Sequence, residues 1–220
     1  MDLGIKGRWA ILSGSSRGLG WACAQSIARE GVNVVINGRT SADVDEAVAQ
    51  LTSRYHIEAR GVVGDSATAS VQDELMSACP EPDIILLNGQ GPSPKPFLDI
   101  ESEDWDSAVR QALTGPLALV QRVVPGMRDR GFGRIVAVSS AMVKSPNSLM
   151  SLSHGTRLGL TGVLKGLSKD LAKYNVTVNQ LLPERFDTAR QEQMAHVAMK
   201  ILGITYEEAR AQQIASIKAG

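Results

Sequence analysis

Two short segments in the second half of the chain carry side chains that can stabilise negative charge on an oxygen atom. The segment SSAMVKSPNS contains Ser140 and, four residues later, Lys144, and the segment MSLSHGTRLGLTG contains Ser153 and, four residues later, Arg157. On a helix, Arg157 would lie one turn from Ser153 on the same face. A serine hydroxyl can donate a hydrogen bond to an oxyanion, but it is a very poor acid near neutral pH. The four residues are therefore candidates for stabilising an oxyanion such as an alkoxide, if the fold brings them together.

The source of a proton for that alkoxide stays open between several groups. Lys144 could reach the same oxygen as a cationic donor, or it is a solvated loop lysine. His154 has a suitable intrinsic pKa. Neighbouring residues on a helix point about 100° apart, however, so we expect His154 to face away from the spot that Ser153 faces. The alternative for His154 is a partly buried packing residue.

A glycine-rich turn near the N-terminus predicts a nucleotide site. The segment ILSGSSRGLGWACAQSIARE is typical of a strand, a glycine turn and a helix. Gly14, Gly18 and Gly20 would let the backbone turn tightly and bring the helix N-terminus against a pyrophosphate. Glycine spacing alone is a weak signal, but its place between a strand and a helix favours a dinucleotide site over an ordinary turn. The predicted cofactor-binding residues of this segment are Gly14, Ser16, Arg17, Gly18, Leu19 and Gly20.

The end of the second predicted strand distinguishes between the two nicotinamide dinucleotides. The strand VNVVINGRT ends in Gly38 and Arg39, where an acidic residue would hydrogen-bond the adenosine ribose of NAD. Arg39 together with Arg17 could instead hold a 2′-phosphate by forked, charge-assisted hydrogen bonds. The alternative is two solvated arginines. The pattern therefore predicts NADP(H) as the cofactor.

The elements that must position these residues alternate regularly along the chain. Six β-branched runs are separated by segments long enough for helices, namely RWAILSG, NVVING, IEARGVVG, DIILLNG, GRIVAVSS and VTVNQLLP. This order predicts an α/β fold, a Rossmann-like doubly wound parallel sheet with helices on both faces, in a single domain over 1–220. Ligands of such sheets bind at the carboxyl ends of the strands. The region 184–220 is predicted to be helical and to lie on the substrate side.

The composition narrows the kinds of partner. Lys plus Arg number 23 and balance 23 Asp plus Glu, without charge runs, so the sequence shows neither a nucleic-acid footprint nor a basic membrane patch. No apolar run is long enough for a signal peptide or a membrane span. Cys23 and Cys79 have no metal-ligand spacing, which fits buried thiols in a reducing compartment. We therefore expect a cytoplasmic protein with a small-molecule substrate and no metal.

Taken together, these segments resemble the short-chain dehydrogenase/reductase family, collinearly from about residue 5 to 190. The segment SGSSRGLG resembles the family's TGxxxGxG, LNGQG its NNAG, GRIVAVSS the strand with its catalytic serine, and VNQLLPERFDT its VNxxxPGxxxT. The resemblance implies that Asp65 contacts the adenine, that Asn88 and Gly89 line the adenosine, and that Pro183 and Thr188 lie by the nicotinamide. Within the family, the chain resembles 3-oxoacyl-carrier-protein reductase-like members that lack the tyrosine.

Several positions depart from the family pattern. Ser153 falls on the family's tyrosine and Arg157 on its lysine, which in the family lowers the pKa of that tyrosine. Gln90 replaces the last glycine of NNAG, Glu184 the glycine of PG, and Ala112 the asparagine that bends a helix and holds a water. The resemblance also implies a further strand and an oligomer-forming helix after the last residues, SIKAG. Either a C-terminal tail follows these residues, or the substrate-side lid and the edge of the sheet differ from those of the family.

Two functions are consistent with this pattern. The first is an NADP(H)-dependent oxidoreductase that interconverts a carbonyl and an alcohol through Ser140, Lys144, Ser153 and Arg157, with Arg157 bonded to the nicotinamide ribose. The second is a catalytically inactive nucleotide-binding protein with a regulatory or structural role. The loop 91–97 and the region 186–206 are expected to shape a hydrophobic substrate pocket, or else to pack on the sheet.

The resemblance also implies a homo-oligomer, dimer or tetramer. The contacts would run through the helices around 105–130 and 148–173, where small residues allow close approach. Ordinary packing within one subunit is the competing interpretation. These small residues are Ala112, Gly115, Ala118, Gly155, Gly159 and Gly162.

Overall fold

The computed structural model describes residues 2–184 and 186–217. They belong to two compact units, of which the first ends at Leu182 and the second starts at Pro183. The first unit holds the sheet and six helices, and the second holds two helices.

The first unit contains the predicted parallel sheet. All five strand pairs are parallel, and the strand order is β3-β2-β1-β4-β5-β6. The order reverses at β1, so the glycine turn after β1 lies where an open α/β sheet has its binding crevice. The predicted α/β fold with a Rossmann-like doubly wound sheet is confirmed. The strands are β1 Trp9–Leu12, β2 Asn33–Gly38, β3 Ala59–Val63, β4 Ile84–Leu87, β5 Gly133–Val138 and β6 Val176–Leu181.

Helices cover both faces of the sheet because its central strands are apolar on both sides. In β1, Ile11 belongs to one buried cluster and Ala10 and Leu12 to the other, as the alternation of side chains along a strand requires. Helices α3, α5 and α6 supply the first cluster, and helices α1 and α2 supply the second. The helices of this unit are α1 Gly18–Arg29, α2 Ser41–Tyr55, α3 Ala69–Ala78, α4 Ser102–Val109, α5 Gly115–Asp129 and α6 Ser151–Leu171.

A π-helical segment, Arg110–Thr114, joins α4 to α5. The amide N–H of Gly115 donates to the carbonyl of Arg110, five residues earlier. Pro116 has no N–H and therefore leaves the carbonyl of Ala112 without its usual helical donor. The helix is thus irregular at the position where the family resemblance implies an asparagine, although Ala112 stands there.

The described residues of the second unit form two helices. Helix α7 spans Ala189–Leu202 and helix α8 spans Tyr206–Ala215. Thr205 and Glu208 cap the start of α8 reciprocally, and Arg210 pairs with Asp187 at 2.6 Å. That this unit lies on the substrate side stays a prediction.

Candidate functional site

The glycine turn between β1 and α1 has the conformation that the sequence predicts. Gly14 has φ +54° and Gly18 has φ +58°, in the left-handed region that favours glycine. A Cβ at Gly14 would lie 2.7 Å from the carbonyl oxygen of Asn88, and one at Gly20 would lie 2.7 Å from the Asn88 side-chain nitrogen. The turn therefore needs glycine both for its dihedral angles and for its close approach to the end of β4.

Two asparagines hold this turn in place. The Asn88 side chain, next to the end of β4, donates to the carbonyl of Gly14 at 2.7 Å. Asn37, which is 2% exposed in β2, accepts the Gly14 N–H at 3.2 Å and donates to the carbonyls of Val62 and Gly64 at 3.1 Å. Sequence reasoning missed Asn37, although a polar residue inside the apolar run VVING was a signal.

The start of α1 has the features of an anion-binding helix terminus. Helix α1 begins at Gly18 with no side-chain hydrogen bond from its N-cap residue Arg17 and no acidic residue in its first turn. Its first N–H groups and the positive end of its dipole are thus suited to a phosphate. The predicted residues Ser16 and Leu19 are partly exposed on this turn. The residues present therefore fit the pyrophosphate of a dinucleotide.

The two arginines predicted to hold a 2′-phosphate contact other side chains. Arg17 pairs with Asp43 on α2, and Arg39 donates to the side-chain oxygen of Gln90 after β4. Both arginines are exposed. Asp43 is an acidic neighbour that sequence reasoning missed, and Gln90, which replaces a family glycine, contacts the arginine after β2. The structure places both cations at the carboxyl edge of the sheet, each with a separate partner.

The remaining predicted cofactor residues fall in both units. Asp65 follows β3, is exposed, and accepts the Ala67 N–H at 3.0 Å. Among the described residues, no heavy atom outside its neighbours lies within 4 Å of the place that a Cβ of Gly89 would take. Pro183 and Thr188 belong to the second unit, where Thr188 is the N-cap residue of α7. Their proximity to a nicotinamide stays a prediction.

The structure brings Ser153 and Arg157 together on α6. Ser153 is 3% exposed, and its Oγ accepts the Arg157 Nε–H at 3.2 Å. A terminal guanidinium nitrogen of Arg157 donates to the carbonyl of Val138, two residues before Ser140, also at 3.2 Å. The guanidinium therefore links the first two turns of α6 to the end of β5.

Gly91 borders the same guanidinium. A Cβ at this position would lie 3.0 Å from the Arg157 Nη2 and 3.8 Å from the Ser153 Oγ. Sequence reasoning assigned Gly91 to the substrate loop but gave it no contact with Arg157. The glycine allows the loop after β4 to approach the Ser153–Arg157 pair.

Ser140 and Lys144 lie on the loop between β5 and α6. The Oγ of Ser140, a partly exposed residue, accepts the Met142 N–H at 3.2 Å, which caps a short 3-10 turn over Ala141–Val143. Lys144 is exposed just after this turn. Lys144 thus lies in solvent, and its contact with a substrate oxygen stays a prediction.

His154 turns toward this loop. The residue is 8% exposed, and its Nε2 accepts the Asn147 N–H at 3.2 Å. Burial lowers the pKa of the imidazole, because the charged form loses its hydration. The contact gives His154 a polar partner in the loop that carries Ser140 and Lys144.

Metal clusters and membrane-spanning helices are absent from the described part of the chain. No group of three or more His, Cys, Asp or Glu residues is arranged to hold a metal ion among residues 2–184 and 186–217. In the same residues no helix is long and apolar enough to cross a membrane. Cys23 and Cys79 are free thiols, and burial raises the pKa of Cys79 to about 11.

Comparison with known proteins identifies a matching family and several relatives. The family model described as short chain dehydrogenase matches residues 8–197. The 3-oxoacyl-[acyl-carrier-protein] reductase of Aquifex aeolicus is 31% identical over 86% of this chain and 77% of its own length. The 2-dehydro-3-deoxy-D-gluconate 5-dehydrogenase of Formosa agariphila is 29% identical over 84% and 72%.

A solved structure extends the likeness to three dimensions. The L-sorbose reductase of Gluconobacter frateurii, complexed with NADPH and L-sorbose, superimposes with a TM-score of 0.86 and 27% identity. The superposition covers 94% of this chain and 81% of that one.

Proposed function

The chain belongs to the short chain dehydrogenase family, and from this premise we propose that it is an NADP(H)-dependent oxidoreductase that interconverts a carbonyl and an alcohol. The observation that carries the proposal is the pairing of Ser153 with Arg157 beside the end of β5, at the same sheet edge as the glycine turn. A hydroxyl held by a cation at the carboxyl edge of a Rossmann-like sheet is suited to binding a substrate oxygen.

The cofactor assignment rests on the turn and on the two arginines. The amide groups at the start of α1 would hold the pyrophosphate, and Arg39, with Arg17, would hold the 2′-phosphate. Both guanidinium groups lie on exposed side chains, so a phosphate can exchange with their present partners. The L-sorbose reductase that superimposes on this chain is an NADPH complex, which supports the assignment.

The protein's part in the reaction is to orient and stabilise the substrate oxygen. The bound cofactor supplies or accepts the hydride. Because the Ser153 Oγ already accepts from Arg157, its hydroxyl proton is left to donate toward the substrate oxygen, and Ser140 would donate a second hydrogen bond. Reduction also consumes one proton, which we assign to Lys144 in contact with solvent.

The cofactor assignment can be tested before any substrate is known. Titrating NADPH and NADH into the parent should give tighter binding of NADPH, and Arg39→Asp should weaken NADPH binding at least about tenfold, since a charge-assisted hydrogen bond is lost. Arg29→Asp, which changes an exposed arginine in the last turn of α1, is the matched control. The assignment would be refuted if the ratio of the NADPH and NADH dissociation constants were the same in the parent and in Arg39→Asp.

The activity is tested by NADPH oxidation against a broad panel of ketones and aldehydes, once cofactor binding is shown. The proposal is supported if the parent reduces any carbonyl of the panel and Ser140→Ala loses that turnover. Absence of turnover with a saturated cofactor site would contradict it.

A second function is favoured by one specific observation. Ser153 and Arg157 are bonded to each other, and neither side chain releases a proton near neutral pH. A nucleotide-binding protein with a regulatory or structural role is therefore the alternative. It predicts cofactor binding without turnover in the same assay.

The proposal also includes an oligomeric state and a cellular compartment. We infer a homo-oligomer whose contact uses the outer face of α6, where Leu158 is 46% and Val163 50% exposed and Gly162 is open. A Cβ at Gly115, Gly155 or Gly159 would instead meet Ala67, Trp105 or Leu113 of the same subunit, which supports ordinary packing at these three positions. Free cysteines support the cytoplasm as the compartment.

A further inference from the structure

We propose that His154 is a positioning residue, whose neutral imidazole fixes the active-site loop, residues 139–150, beside the Ser153–Arg157 pair. The inference rests on the proposed function in so far as Ser140 and Lys144 belong to the catalytic group. Its structural part, that a histidine on α6 controls the order of this loop, stands on contacts alone.

The first contact joins the helix to the middle of the loop. His154 is 8% exposed and accepts the backbone N–H of Asn147 through Nε2 at 3.2 Å. A ring nitrogen that accepts a hydrogen bond carries no proton, so the proton of the neutral imidazole lies on Nδ1. The loop is thereby attached at a point that lies between Lys144 and the start of α6.

The same attachment reaches a second loop. The side-chain oxygen of Asn147 accepts the Leu149 N–H at 2.9 Å, and the carbonyl of Leu149 accepts the Lys95 N–H at 3.0 Å. The ammonium group of Lys95 pairs with Asp104 on α4 at 2.5 Å. One imidazole therefore supports a chain of contacts that orders both loops after β4 and β5, and both are predicted to border the substrate.

Protonation would reverse the contact. A proton on Nε2 turns the acceptor into a donor, which then faces the N–H donor of Asn147. Burial and the positive end of the α6 dipole, four residues into the helix, both disfavour the charged imidazole. The charged ring is accommodated only if the loop opens and admits water.

Charged side chains do not offset this effect. Burial alone lowers the pKa of His154, without a contribution from the ionisable groups on the elements that pack against α6. On those elements and at their ends, these groups are Glu101, Glu103, Asp104, Asp106, Arg110, Lys144, Lys173 and Tyr174, and Arg157 lies on α6 itself.

The sign of the pH dependence follows from the direction of the shift. A histidine whose pKa is lowered in the closed loop stabilises that loop fully above the ordinary pKa of about 6.5. The stabilisation is lost as the pH falls from that value through the closed-state pKa. Over this interval, opening becomes easier by at most about tenfold per pH unit, because one proton is bound.

The test measures hydrogen exchange of the Asn147 amide at pH 5 to 8, corrected for the intrinsic exchange rate. The parent's protection should fall as the pH drops below about 6.5, by at most about tenfold per pH unit. His154→Gln keeps an acceptor that does not titrate, so its protection should be independent of pH. His154→Phe keeps the volume without an acceptor and should be unprotected throughout. His56→Gln, at an exposed histidine that ends α2, should behave as the parent.

The outcomes separate this inference from the proposed function. The inference would be overturned if protection of the Asn147 amide did not depend on pH in the parent, or if it depended on pH equally in His154→Gln. The comparison of the parent with His154→Gln is sufficient even if His154→Phe does not fold. Where turnover exists, kcat/KM should fall on the acid side in the parent and not in His154→Gln. A protein without turnover leaves the exchange result intact, because that readout needs no substrate.

Discussion

Replacing Gly91 by alanine should disturb Arg157, because the new methyl group would meet the guanidinium. The ideal Cβ lies 3.0 Å from the Arg157 Nη2, whereas ordinary contacts of a carbon atom are about 3.5–4.0 Å. The guanidinium must therefore move by roughly half an ångström. Its hydrogen bonds to Ser153 and Val138 are both 3.2 Å long, at the upper end of the usual range, so a displacement breaks or weakens at least one.

The expected cost follows from these two bonds. A hydrogen bond to a charged group contributes about 1.5–3 kcal/mol, so losing one lowers the free energy of unfolding by about 2 kcal/mol. Alanine also restricts the unfolded chain, which stabilises by about 0.4–1 kcal/mol. Gly89→Ala shares this second effect, and its Cβ would meet no heavy atom within 4 Å among the described residues. The difference between the two variants thus isolates the contact with Arg157.

Urea denaturation measures that difference. With an m-value near 2 kcal/mol per molar, the midpoint of Gly91→Ala should lie about 1 M below that of Gly89→Ala. In an Arg157→Lys background, which has no atom at the Nη2 position, the two alanine variants should have the same midpoint. Equal midpoints in the parent background, or a difference that persists with lysine, would refute the reasoning.

Three other predictions concern separate parts of the molecule. Lys144→Ala should lower turnover about a hundredfold and leave NADPH affinity within a few fold, and unchanged kcat on an accepted substrate would remove Lys144 from the mechanism. Asn37→Leu should lower the free energy of unfolding by at least about 3 kcal/mol, since it leaves the Gly14 N–H and two carbonyls without their partner; a loss under about 1 kcal/mol in urea contradicts this. Val163→Arg should reduce the mass measured by light scattering to that of a monomer, and an unchanged oligomer would show that α6 is not the contact.

The parts of the fold that local sequence encodes were predictable. Gly14 and Gly18 indicate a turn, because other residues rarely adopt their dihedral angles. The apolar runs of β4 and β5 indicate strands that are covered on both faces. The pairing of Ser153 with Arg157 follows from helical spacing alone, since side chains four residues apart share a face.

Contacts between distant segments were decided only by the tertiary structure. Arg39 contacts Gln90, 51 residues away, and Asn37 bonds to Gly14, 23 residues away. Such pairs arise where neighbouring strand ends of a parallel sheet meet, and no local pattern specifies which side chains then touch. The sequence by itself thus determined the strands, the helices and the phosphate turn, because these depend on the preferences of adjacent residues. The contacts of Arg39 with Gln90, of Arg157 with Val138 and of His154 with Asn147 depend on how separate segments approach one another, which only the packed sheet and its helices define.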